Sequence, residues 1–173
     1  MIRSLFISLW VLLLSACSAE INDYRAATPT FNLFEYFQGQ TQAYGMVQDY
    51  TDMQTRRFEV SIWGIVDGDT LTLQEDFIYD DGETDSRVWT ITRSGDGKYL
   101  GRADDIIGTA SGKEQGNALQ WQYDLELKLD DSSVVVAFDD WLYRQDSKRV
   151  FNLTSIKKWG VEVGRVTLFF EKQ

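Results

Sequence analysis

Leu119-Gln120-Trp121-Gln122-Tyr123-Asp124-Leu125-Glu126-Leu127-Lys128-Leu129 decides the fold. Every odd position is apolar or aromatic, and every even one is an amide or a charge. A helix turns about 100° per residue and would scatter these apolar side chains around its circumference, whereas a strand puts all of them on one face. The stretch therefore predicts a half-buried β-strand.

The same period of two extends outward in both directions. Phe58, Val60 and Ile62 alternate with polar residues, as do Leu71, Leu73, Phe77 and Tyr79. Turn signals punctuate the chain at Asp67-Gly68-Asp69, Asp80-Asp81-Gly82, Ser94-Gly95-Asp96-Gly97, Gly112 to Asn117, Asp130-Asp131 and Gln145-Asp146-Ser147. Nine or ten strands follow, over 41–50, 55–66, 70–79, 86–94, 98–103, 106–111, 117–129, 133–144, 148–158 and 161–171. No long amphipathic helix interrupts them. So many antiparallel strands leave exposed edges unless the sheet closes, which favours a single up-and-down barrel of the lipocalin kind over a sandwich. Ahead of the strands, Phe31, Phe34 and Phe37 are spaced by three, as in a short helical turn that Gly39 closes, placed to plug one end of the barrel.

Composition narrows the function. The 173 residues hold 17 basic and 27 acidic side chains, a formal charge of −10, so the surface repels phosphate backbones and no nucleic-acid partner is expected. There is no histidine, which removes histidine-based triads and imidazole ligands to zinc. None of the acidic turns matches the twelve-residue calcium loop, so they read as turns and no metal or cofactor is expected.

The N-terminus reads as an address. Arg3 precedes an apolar run from Leu5 to Leu14, too short to span a bilayer as a mature helix, and Leu14-Ser15-Ala16-Cys17 follows it. That tetrapeptide resembles the bacterial lipobox. Cys17 is the chain's single cysteine, and lipidation there is expected, although an ordinary secretory signal ending in a chance cysteine reads the same way. The expected organisation is a signal peptide over 1–16, a lipidated N-terminus and tether over 17–30, and a barrel domain over 31–173. Ser18 in place of aspartate implies the periplasmic face of the outer membrane in a host with two membranes.

Candidate site residues are polar groups on an apolar phase. Glu75 shares its phase with Leu71, Leu73, Phe77 and Tyr79, and the next strand offers Arg87 and Trp89 across from it. A buried carboxylate is costly without a cation, so Glu75 and Arg87 are expected inside and within ion-pair reach, directly or through water, as a structural pair or as a site for a ligand's polar end. In Phe138-Asp139-Asp140-Trp141 one aspartate must face inward: an even count in the turn at Asp130-Asp131 selects Asp140, an odd count Asp139. Trp63, Trp89, Trp121, Trp141 and Trp159 line a cavity or pack the wall and rim. Ligand-binding candidates are thus Glu75, Arg87, Trp89, Trp121, Asp140 and Trp141. Acid–base work by Glu75 with an aspartate is a minor alternative, because carboxylate pairs arise by chance in so acidic a chain, and the expectation is a chain that is not an enzyme.

Glu35-Tyr36-Phe37-Gln38-Gly39, Arg56-Arg57-Phe58, the run from Leu73 to Gly82, Arg87-Val88-Trp89, the run from Asp104 to Gly112, Gly116-Asn117, Phe138 to Trp141, and Asn152 with Lys157 and Gly160 together resemble the bacterial lipoprotein family catalogued as domain of unknown function thirty-eight thirty-three. The resemblance covers about residues 31 to 171. It implies an envelope lipoprotein without an established activity. Members of that family are often encoded beside enzymes resembling cyclopropane-fatty-acid synthases, which implies a place in membrane lipid modification or stress. The resulting expectation is a lipid-anchored barrel that binds a fatty acyl or similar apolar molecule. The alternative is a structural or assembly lipoprotein that binds a protein partner.

Overall fold

The computed structural model describes residues 18–129 and 132–173. Ten antiparallel strands form a closed barrel: β1 (Gly39–Asp49), β2 (Gln54–Asp67), β3 (Thr70–Tyr79), β4 (Thr84–Gly95), β5 (Lys98–Arg102), β6 (Ile106–Gln115), β7 (Ala118–Leu129), β8 (Ser132–Arg144), β9 (Arg149–Lys158) and β10 (Val161–Lys172). Each strand pairs with its neighbours in sequence, and β1 closes the sheet against β10 with Ala43 opposite Phe170. Closure leaves no free edge, and the period of two then assigns each side chain to lumen or exterior.

The inward set is the one the alternation predicts. Leu119, Trp121 and Leu125 of β7 are buried, while Gln122, Asp124, Glu126 and Lys128 face water. Two residues intervene between Leu129 and its partner Ser132, an even turn, so Asp140 points inward and Asp139 outward.

The short helix α1 (Leu33–Phe37) seals one end of the barrel. Phe31, Phe34 and Phe37 are all buried, as their spacing predicts, and Leu33 and Tyr36 join them in the core. Asn32 caps α1 by accepting a hydrogen bond from the Glu35 N–H at 3.0 Å, and Gly39 takes the left-handed conformation (φ 87°) just beyond its end. Tyr36 donates its hydroxyl to the Lys148 carbonyl at 2.9 Å, while Lys172 donates its ammonium to the Tyr36 carbonyl at 2.7 Å. Seating the plug requires glycine at position 64, where a Cβ would lie 1.8 Å from the Phe37 carbonyl oxygen.

The described part of the segment expected to be a tether is docked on the barrel. A 3-10 turn at Ile21–Tyr24 lies against the outer wall at β6 and β7. Lys113 donates to Asn22 Oδ1 at 2.8 Å, and the Tyr24 ring sits 5.7 Å from Trp141 and 5.6 Å from Tyr143. This segment carries no period that would have announced a binding face, because its contacts come from isolated side chains and backbone carbonyls. Cys17 and residues 1–16 lie outside the described residues, as does the Asp130-Asp131 turn.

Candidate functional site

Above the α1 plug the lumen holds a cavity of about 370 Å³. Most of its wall is aliphatic and aromatic, supplied by alternate residues of β2, β3, β4, β7, β8, β9 and β10. At the mouth, Arg56 stacks its guanidinium 3.5 Å from the Tyr79 ring centroid and pairs with Asp81 at 3.2 Å and with Glu83.

Glu75 and Arg87 stand directly opposite each other on β3 and β4, both facing the cavity. Both face inward as expected, but their pairing is not direct: Arg87 Nη2 meets Asp105 Oδ2 at 2.5 Å, and Glu75 forms neither a hydrogen bond nor an ion pair with any described residue, although the Arg87 charge still acts on it. The physical reason is reach, since the connection between β5 and β6 lays Asp105 over the guanidinium and offers it a carboxylate that is partly open to solvent. That geometry leaves Glu75 facing the cavity beside Arg87 without a direct partner.

Burial pushes the Glu75 carboxyl up to about 7; Arg87 opposes that shift, and the carboxylates of Asp105 and Asp140 reinforce it. Asp140, 8% exposed, is likewise pushed up by burial to about 6, with the hydroxyls of Thr154 and Tyr123 pulling the other way. Burial also raises the Tyr123 phenol well above its usual range, which keeps it protonated as a donor. Arg87 resists the burial penalty because Glu75, Tyr123 and Asp105 surround it, and its pKa is raised. On β9, Asn152 donates to Thr154 Oγ1 at 3.2 Å, and Thr154 in turn donates to Asp140 Oδ1.

Of the predicted site residues, Glu75, Arg87, Trp89, Trp121 and Asp140 come together on the cavity wall. Trp89 and Trp121 meet edge to face with centroids 5.7 Å apart, and Trp121 both lines the cavity and packs the wall. Gly101 and Gly112 make room for its indole, since a Cβ at either would sit within 2.5 Å of it. Trp141 is a correction. It lies on the outer face, stacked on Tyr143 with centroids 6.1 Å apart, because Asp140 faces inward and adjacent residues of one strand cannot share a face. Trp63 and Trp159 are outside as well, 54% and 93% exposed. Asp139, also outward, accepts from Gln120 at 2.8 Å and pairs with Lys157 at 3.3 Å. The sequence reading missed Asp105, Tyr123, Asn152 and Thr154. Val150, Asn152, Thr154 and Ile156 share one phase, so once that phase is known to face inward the rule that found Glu75 finds two of them.

A family model described as "Protein of unknown function (DUF3833)" matches residues 11–172. No curated protein matches the chain. Among solved structures, the chain is similar to the S-type phycobiliprotein lyase CPES from Guillardia theta, with a TM-score of 0.55 and 9% identity over 81% of this chain and 90% of that one. At that identity the likeness shows the fold alone, a lipocalin-like barrel. It corrects the expectation that the chain is not an enzyme: a barrel of this fold carries the name of a lyase, so the fold does not exclude catalysis. Glu75 and Asp140, with pKa values moved toward neutrality, have the character of acid–base groups.

Proposed function

The chain belongs to the DUF3833 family, whose description assigns no activity, and we propose from the barrel itself that it binds one apolar, chain-like molecule in the lumen. The observation that carries this reading is the cavity: about 370 Å³ of mostly apolar space ending at a few convergent polar groups, which is how ligand sites for amphiphiles are built. A fatty acyl chain would lie along Phe58, Phe77 and Leu168, with its polar end at the Glu75–Arg87–Asp140 cluster. The test is mass spectrometry of an organic extract of the purified protein, together with its melting temperature across a panel of single-chain lipids. A co-purifying amphiphile and a rise in melting temperature are expected; an empty extract and no rise with any member would overturn the reading.

We also propose that residues 1–16 form a signal peptide and that acylated Cys17 anchors the barrel at the periplasmic face of the outer membrane, in a role in envelope lipid homeostasis or stress. Cys17→Ser should leave a precursor without acyl mass. Wild-type protein recovered soluble and unacylated would refute the anchor, and recovery in the inner membrane would refute the sorting by Ser18.

A second reading, a scaffold that binds a protein partner, is favoured by the outer wall. Tyr44, Phe169 and Phe151 are cross-strand neighbours there, and Tyr44, Phe151 and Leu153 are exposed.

A further inference from the structure

At the polar end of the cavity carboxyls outnumber cations. Three carboxyls, Glu75, Asp105 and Asp140, surround a single guanidinium, Arg87, and Asp105 already engages it. The second oxygen of Asp105 is buried with no partner. The carboxylate of Glu75, on the cavity wall, accepts from no described residue.

An independent observation comes from β9. Asn152 is only 5% exposed and lines the cavity. Thr154 has one hydroxyl hydrogen and gives it to Asp140, so toward Asn152 the hydroxyl must act as acceptor, and Asn152 must present its NH₂ group. The direction of this relay leaves the Asn152 Oδ1 without a donor among the described residues. The Glu75 and Asn152 oxygens open onto the cavity, and acceptors that face a cavity without a donor mark places where a ligand group completes the network.

Resting on the binding reading above, we infer that the cavity selects amphiphiles whose polar end donates hydrogen bonds, an ammonium best and a hydroxyl next, and discriminates against a free carboxylate. A carboxylate at this position brings a further negative charge beside Glu75 and Asp140 and satisfies none of the open acceptors. An ammonium supplies three donors and a positive charge that Glu75 can balance. The apolar wall is indifferent to the headgroup, so chain binding and headgroup choice are separable.

The experiment is a calorimetric titration of the full-length protein at pH 8 with dodecylamine, dodecan-1-ol and dodecanoate, each below its micelle-forming concentration. Salt is held high to screen the acidic surface. The expected order is dodecylamine, then dodecan-1-ol, then dodecanoate, with at least a tenfold difference between the first and last. Glu75→Gln should narrow that ratio, and adding Asp140→Asn should bring it near one while dodecan-1-ol still binds. Tightest binding of dodecanoate would overturn the headgroup inference and leave the binding reading standing. An amine preference that survives in the double variant would trace to surface charge and overturn it as well. Binding of none of the three overturns both.

Discussion

Arg87→Met is expected to destabilise the barrel by about 3 kcal/mol, the lower end of the cost of removing one partner from a buried ion pair. The variant strands two carboxylates. Asp105 loses the guanidinium that contacts it at 2.5 Å, and Glu75 loses the positive charge that opposes its burial. Asp105 is partly open to solvent, which places the cost at the low end. Because the contact is with Asp105, a double-mutant cycle on denaturant midpoints should give a larger coupling of Arg87 with Asp105 than with Glu75, once the gain that Glu75→Gln brings by itself is subtracted. A larger coupling with Glu75 would mean that the facing pair on β3 and β4 is the true partnership.

Glu75→Gln is expected to raise the melting temperature above pH 7 and to leave it little changed below pH 4.5. Folding raises this carboxyl from 4.5 to about 7, so its protonated form is the one the folded barrel prefers. Stability is therefore fully present below pH 4.5 and is lost as pH rises through about 7. A difference of that size corresponds to roughly 3 kcal/mol at about 1.4 kcal/mol per pKa unit. In a domain of this length that is roughly 6 to 12 °C in melting temperature. Asp140 is shifted in the same direction, to about 6, and adds a second loss at lower pH that persists in the variant. Parallel pH profiles for wild type and Glu75→Gln would show that Glu75 is not held in a desolvating wall.

The strands were legible because one physical constraint, a single buried face, leaves a period of two in the sequence. On β7 and β3 that period is clean, and the inward direction of Glu75 follows from it. On β8 the phase alone was insufficient: Asp139 and Asp140 alternate, and only the even count of residues between the paired Leu129 and Ser132 selects Asp140. By the same rule Trp141, next to Asp140, faces outward and is not a site residue. On β9 the pattern was obscured, because outward-facing Phe151 and Leu153 make the exterior phase as apolar as the interior one, and Asn152 and Thr154 were lost in it. Asp105 was beyond reach for a different reason. It sits on the irregular connection between β5 and β6, where no period reports which way a side chain points, so its pairing with Arg87 is a fact of the closed barrel rather than of any one strand. The docked segment around Tyr24 is illegible on the same ground.

Titration calorimetry of dodecan-1-ol into the full-length protein at two temperatures, about 15 and about 35 °C, reads whether the lumen takes one apolar chain. Burial of an alkyl chain in the cavity predicts a saturable isotherm with one molecule per chain and a binding enthalpy that becomes more negative on warming, the heat-capacity signature of apolar burial. Absence of saturable heat at both temperatures would contradict it.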